Sequence, residues 1–217
     1  MGNFSLKFDK FWETFIKYNG YVKVLEGLKN TLTIAVLGLI IGIVIGTLIA
    51  TARVIPQYKV LPRILNKICS FYVALFRGTP IVVQLLVFYY VLLPLMGSRM
   101  TGIQVAVMVF GLNSAAYISE IMRGGIMSVD SGQMEAGRAV GLSFGTTMLK
   151  IVIPQAVKNI LPTMGNELIA LIKDTSVVSF VGATDLYVAF SFIGSSNYEF
   201  MVPYLVMALI YIVLVLI

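Results

Sequence analysis

Apolar residues run along this chain in long blocks set apart by short polar loops. Uncharged stretches occur at Thr31–Ala52, Gly78–Ser98 and Met100–Ser119. A fourth block, interrupted by polar residues, runs from Ile151 to about Phe192, and a last one covers Phe200–Ile217. A membrane helix needs about 20 mostly apolar residues to cross roughly 30 Å of hydrocarbon at about 1.5 Å per residue. The pattern therefore predicts an all-α, polytopic membrane protein with about five transmembrane helices. The fifth block is still apolar where the sequence stops and reads as a span cut short.

Two shorter patterns refine this picture. Phe4, Phe8, Phe11, Trp12, Phe15 and Ile16 recur at helical spacing among Lys7, Lys10 and Lys17. Residues 1–30 read as an N-terminal amphipathic segment lying in the membrane interface, ahead of a transmembrane domain over 31–217. A helix packed on the other spans has the same spacing. Within the first span, Gly38, Gly42, Gly46 and Ala50 fall at every fourth residue. Such a small-residue stripe lets a second helix approach closely, within the chain or from another copy.

Composition agrees with the block pattern. The chain has 217 residues, 59% hydrophobic and only 12% charged, where a soluble domain carries roughly 25% charged residues. Too little polar surface remains to coat a water-soluble globule, so lipid covers much of it. The net charge of +6 does not imply nucleic acid, because basic residues of membrane proteins collect in cytoplasmic loops. Arg53, Lys59, Arg63, Lys67 and Arg77 crowd the first loop, and Arg123, Arg138, Lys150 and Lys158 the third. These loops are predicted inside and the N-terminus outside. With no histidine and the single Cys69, a zinc site or a histidine general base is not expected. No short apolar run with a small-residue cleavage site opens the chain, so a signal peptide is not predicted.

The third loop, about residues 123–153, carries the most specific signal. It contains Glu135-Ala136-Gly137-Arg138-Ala139-Val140-Gly141, followed after nine residues by Ile151-Val152-Ile153-Pro154. Small residues along a short helix suit insertion into a partner's groove. Ala136, Gly137 and Val140 are expected on one face, with Glu135 and Arg138 beside it at i, i+3. The stretch resembles the EAA loop of binding-protein-dependent ABC importer permeases, with Gly137 in place of the second alanine and Ile153 in place of the usual leucine. Further stretches resemble the polar amino-acid branch of type I permeases: Phe76-Arg77-Gly78-Thr79-Pro80 with Gln84, Asn113-Ser114-Ala115-Ala116-Tyr117, Pro154-Gln155-Ala156 through Leu161-Pro162, Gly165-Asn166-Glu167, and Lys173-Asp174-Thr175-Ser176.

This resemblance implies a permease subunit of the prokaryotic cytoplasmic (inner) membrane. It moves a polar amino acid by alternating access. It implies a coupling helix around Glu135–Gly145 that docks on an ATP-binding subunit, with Glu135, Ala136, Gly137, Arg138 and Gly141 as its motif residues. It also implies an extracytoplasmic solute-binding protein and a second permease copy or paralogue. ATP and Mg belong to the partner ATPase: no Gly-x-x-x-x-Gly-Lys-Ser/Thr run occurs in this sequence. Gly137 is expected to loosen the coupling helix slightly.

Polar groups inside the spans are the candidate substrate contacts. A charge at membrane depth costs about 2.5–3.5 kcal/mol or more and usually faces an interior or a water-filled path. Glu167 and Asp174 lie seven residues apart, on one face of a helix. Pro162, Gly165 and Gly182 are candidate helix breaks that free carbonyls for a ligand. Asn113, Ser114 and Tyr117, with Thr175 and Ser176, supply polar contacts, while the two carboxylates meet positive groups. The other reading makes Lys173–Asp174 an interfacial charge pair and Glu167 a structural anchor. Arg77 reads as an inner-end anchor, or as a partner for Glu135 or Glu120. A self-contained secondary transporter or channel is the alternative function, though that class tends to show internal repeats and none is visible here.

Overall fold

The computed structural model describes residues 2–216. Met1 and Ile217, which the first and last predicted segments include, lie outside the described residues. Those described are overwhelmingly helical, with no strand among them. The principal helices are α1 (Gly2–Trp12), α2 (Gly20–Val54), α3 (Val60–Gly78), α4 (Ile81–Val87), α5 (Leu93–Leu95), α6 (Gly102–Met127), α7 (Ser131–Ala139), α8 (Phe144–Thr147), α9 (Ile153–Asp174), α10 (Leu186–Asn197) and α11 (Met201–Leu216). Helices α2 and α6 are each long and apolar enough to cross a membrane, and α11 is a shorter apolar helix.

The first predicted span lies within α2, but that helix begins at Gly20, so the boundary expected at residue 30 falls inside it. Lys23, Glu26 and Lys29 make its first three turns too polar to register as a span, although nothing there stops a helix. Helix α3 stops at Gly78 because Thr79 precedes Pro80. The proline ring pushes the residue before it out of helical space, and Thr79 is extended at φ −121°, ψ 142°.

Pro162 and Gly165 do not break a helix: α9 runs through both. A proline removes one backbone hydrogen bond, and a membrane helix can carry that loss when its neighbouring turns stay intact. The break falls instead at Gly182, whose φ of 71° is left-handed and ends the 3-10 turn Thr175–Val181. Asp185 then starts α10, its Oδ1 accepting from the Val188 amide at 3.0 Å.

The chain forms two compact units. One contains the chain up to Leu37, Val82–Val109 and everything from Ile169 onward. Its core gathers Phe11, Val24, Leu186, Phe190, Ile193 and Val202. Helix α1 belongs to it and is packed rather than free. Lys7 pairs with Glu199 at 3.4 Å, and the Asn197 amide donates to the Lys10 carbonyl at 3.1 Å and to Thr14 Oγ1 at 3.0 Å. Phe4, Phe8 and Trp12 of α1, and Ile16 in the turn that follows it, stay exposed. In the same unit Asn30 Nδ2 donates to the Thr184 carbonyl at 2.8 Å. A Cβ on Gly27 would stand 2.5 Å from the Asp185 carbonyl oxygen, so α2 clasps the segment that follows the break.

The second unit is Gly38–Ile81 with Phe110–Leu168. Here the small-residue stripe meets α6 of the same chain. A Cβ on Gly42 would sit 2.7 Å from Ser114 Oγ, and one on Gly46 would sit 2.9 Å from the Ala115 carbonyl oxygen. Ile40, Val44 and Leu48 line the outward side of α2 here, facing lipid in a spanning helix.

Candidate functional site

In the second unit, Ser114 is fully buried and its Oγ donates to Glu167 Oε1 at 2.9 Å. Gly42 makes this possible, since any side chain there would strike the serine hydroxyl. One turn of packing between α2 and α6 therefore fixes the hydroxyl, and the hydroxyl fixes one oxygen of the carboxylate. Asn113 is also buried and donates from Nδ2 to the Phe76 carbonyl at 3.3 Å, at the helix end that leads to Thr79-Pro80. Tyr117, one turn further along α6, is exposed and lies under the Arg77 guanidinium at 5.3 Å from its ring centre.

Asp174, Thr175 and Ser176 belong to the first unit. Asp174 is exposed and Ser176 half-buried. Thr175 differs from the expectation of a ligand contact: it is fully buried, and its hydroxyl donates to the Ile172 carbonyl at 2.8 Å. It closes the last turn of α9. Of the predicted polar set, the structure thus brings Ser114 and Glu167 into contact and uses Thr175 inside its own helix end.

The segment between α6 and α9 is not one helix over Glu135–Gly145: α7 ends at Ala139, and α8 starts at Phe144 and runs on through a π-helical turn, Met148–Val152, into α9. Asp130 caps α7, its Oδ1 accepting from the Gly132 amide at 2.7 Å. Gly141, at φ 86°, ends it. The Leu142 amide donates back to the Gly137 carbonyl at 3.0 Å and the Gly141 amide to the Arg138 carbonyl at 3.0 Å. That pair of bonds is a Schellman stop, which a left-handed glycine allows at little cost. Ser143 restarts the chain as α8, accepting from the Thr146 amide at 3.1 Å.

The expected docking face is split. Glu135, Ala136 and Arg138 are exposed and Val140 is 77% exposed, but Gly137 is buried. It faces Thr147, where a Cβ would lie 2.4 Å from the threonine methyl and 2.8 Å from its hydroxyl oxygen. Gly137 does not loosen α7; it lets α7 lie on α8. Gln155 Nε2 ties the same pair down from α9 by donating to Gln133 Oε1 at 3.2 Å. In an open helix, Gly→Ala would gain about 0.5–1 kcal/mol. Here overpacking of about 1–3 kcal/mol opposes that gain and wins. Gly137→Ala is therefore expected to lower the thermal midpoint of the purified chain, and adding Thr147→Ala to recover most of the loss. A single Gly137→Ala that melts at or above the wild-type temperature would contradict this packing.

Sequence reasoning gave Glu120 too small a part. It accepts hydrogen bonds from Arg53 and, at 3.1 Å, from Arg123 Nη2. Arg77 Nη1 lies 3.9 Å from Oε2 of the same carboxylate, the oxygen that Arg123 also contacts. The partner of Arg77 is thus Glu120 rather than Glu135. Its i, i+3 spacing to Arg123 was visible in the sequence; its contacts with Arg53 and Arg77 depend on helix packing.

The family model described as binding-protein-dependent transport system inner membrane component matches residues 38–217. The arginine transport system permease protein ArtQ of Bacillus subtilis (strain 168) is 40% identical over 194 residues, covering 89% of this chain and 86% of that protein. The crystal structure of an amino acid ABC transporter with histidines superposes at a TM-score of 0.84 and 36% identity, covering 94% of this chain and 91% of that one. The inward-facing MetNI methionine ABC transporter shares the fold at a TM-score of 0.73 and 20% identity, over 88% of this chain and 89% of that one.

Proposed function

We propose that this chain, which belongs to the binding-protein-dependent transport system inner membrane component family, carries a polar amino acid as the permease subunit of an ABC importer. Membership of that family makes it a membrane-integral transport subunit that works with an ATP-binding subunit and a solute-binding protein. Beyond that, the cargo passes by alternating access, driven by ATP and Mg held on the partner ATPase. The permease works with a second copy of itself or a paralogue. Its N-terminus lies outside the cytoplasmic membrane of a prokaryote, as the loop charges suggest.

The observation that carries the cargo reading is the Ser114–Glu167 contact. An amino acid brings an ammonium into a low-dielectric path, and a carboxylate held by a buried hydroxyl is a fitting acceptor. Asn113 and Tyr117 are the further polar contacts of this reading in the same unit; in the other unit Asp174 and Ser176 are its candidate contacts, and Thr175 shapes the helix end beside them. The relative named for arginine and the solved amino acid transporter support the same cargo class. Two carboxylates suit a cationic amino acid best.

The exposed row Glu135, Ala136, Arg138 and Val140 is the surface offered to the ATPase, with Gly137 and Gly141 shaping it from behind. The complete transporter in liposomes is the test. ATP hydrolysis should rise when binding protein loaded with a polar amino acid is added, and more for cationic side chains than for acidic ones. Hydrolysis that ignores every amino-acid-loaded binding protein would remove the cargo assignment. The alternative of a self-contained transporter or channel predicts uptake by this chain alone, without ATP.

A further inference from the structure

The arginines around Glu120 are not used by the transport reading. Arg53, Arg77 and Arg123 converge on this single carboxylate, which leaves the cluster with an excess of two positive charges. Their donors are incompletely met. Arg123 directs Nη2 to Glu120, but its Nη1 rests on the Met127 sulfur at 3.1 Å, a weak acceptor, and its buried Nε has no partner. Arg77 stands too far from Glu120 for a good hydrogen bond and its side chain is 44% exposed.

An apolar groove of about 190 Å³ lies between α9 and the two helices, α2 and α6, that carry Arg53 and Arg123. Thr47 and Thr51 of α2, Met122 and Ile126 of α6, and Ile153 and Ile160 of α9 line it. Arg123 is one turn from Ile126, its i, i+3 neighbour on α6. The threonine hydroxyls do not make the groove polar: Thr47 and Thr51 turn theirs back onto the carbonyls of Ile43 and Thr47. The Arg123 Nε, a cationic donor that lacks an acceptor, thus belongs to a residue one turn from an apolar groove at the basic end of membrane-spanning helices.

We propose that this is a binding site for one anionic phospholipid, with its phosphate on Arg123 and Arg77 and part of an acyl chain in the groove. Charge complementarity selects the headgroup, because an excess of guanidinium donors takes a phosphate in bidentate fashion. The groove selects a lipid over a free anion, since a soluble phosphate gains nothing from Ile126 or Ile160. It also selects a lipid over an acidic protein segment, which would place polar backbone against apolar walls. Basic pockets between spans are the usual form of such headgroup sites.

The test uses the complete transporter, purified in mild detergent and offered phosphatidylglycerol or phosphatidylcholine of the same acyl chains, with retained lipid counted by native mass spectrometry. Wild type should retain phosphatidylglycerol over phosphatidylcholine by about fivefold or more. The double variant Arg77→Gln with Arg123→Gln should lose at least that preference, while Arg123→Lys keeps much of it. Ile126→Trp, which fills the groove without removing a charge, should also lower phosphatidylglycerol retention. It keeps the proposal testable if the arginine variants fail to fold.

Equal retention of the two lipids would overturn the site, as would phosphatidylglycerol binding unchanged in folded arginine and Ile126→Trp variants. Inorganic phosphate displacing the lipid, with no effect of Ile126→Trp, would make it a small-anion site instead. Loss of the partner ATPase without loss of lipid in the arginine variants would make it a protein-docking surface.

Discussion

Uptake by the reconstituted transporter is expected to fall about ten- to a hundredfold when Glu167 is replaced by glutamine. The substitution keeps the size of the side chain and an oxygen that can accept from Ser114, so packing is little disturbed. It removes the negative charge. A hydrogen bond to a charged group is worth about 1.5–3 kcal/mol, which converts to that range. Ser114→Ala should act in the same direction but less, because the carboxylate survives and loses one donor at 2.9 Å. Gly42→Ala should resemble Ser114→Ala, since its new methyl occupies the place of the serine hydroxyl. Asp174→Asn should cost less than Glu167→Gln, as Asp174 is exposed and water competes for any ligand contact it makes. Uptake unchanged in both Glu167→Gln and Asp174→Asn, with the variants folded, would remove these carboxylates from the cargo path.

How much of this was legible in the sequence depends on the range of the interaction. Helix class and the approximate spans follow from block composition, because a bilayer imposes its thickness on any chain that crosses it. The small-residue stripe announced a close helix contact but not its partner: Gly42 needs Ser114, which is 72 positions away. Local motifs did better in identity than in shape. The loop around Glu135 was found by its residues, yet Gly141 was read as one more small residue of a coupling helix when its left-handed φ ends that helix. Gly137 looked like a blemish because its reason, the Thr147 methyl, lies on the next helix. Among the candidate breakers, proline and glycine both lower helix propensity, but only Gly182 interrupts the chain. The deciding features there are tertiary, since Gly27 and Asn30 grip the segment that follows it, at Asp185 and Thr184.

Glu120 shows the same limit with the largest energetic consequence. Replacing it by glutamine would leave three arginines facing one another around a neutral amide. At about 4 Å and an effective dielectric near 20, each unit-charge pair interacts with roughly 4 kcal/mol before desolvation is counted. Removing one partner of a buried pair costs about 3–5 kcal/mol in measured cases. The side chain of Glu120 is 20% exposed, so partial solvent screening places the expected loss near the lower end of that range, at about 3 kcal/mol. A domain whose total stability is about 5–15 kcal/mol would then lose much of its margin. The yield of monodisperse Glu120→Gln protein after detergent extraction, and its thermal midpoint, should both drop sharply. A second substitution separates charge from shape: Arg123→Gln added to Glu120→Gln removes one unneutralised cation and should recover part of the loss. A mutational cycle with no coupling between positions 120 and 123, or a Glu120→Gln protein as stable as wild type, would mean that water already screens the arginines from one another and that the carboxylate is dispensable.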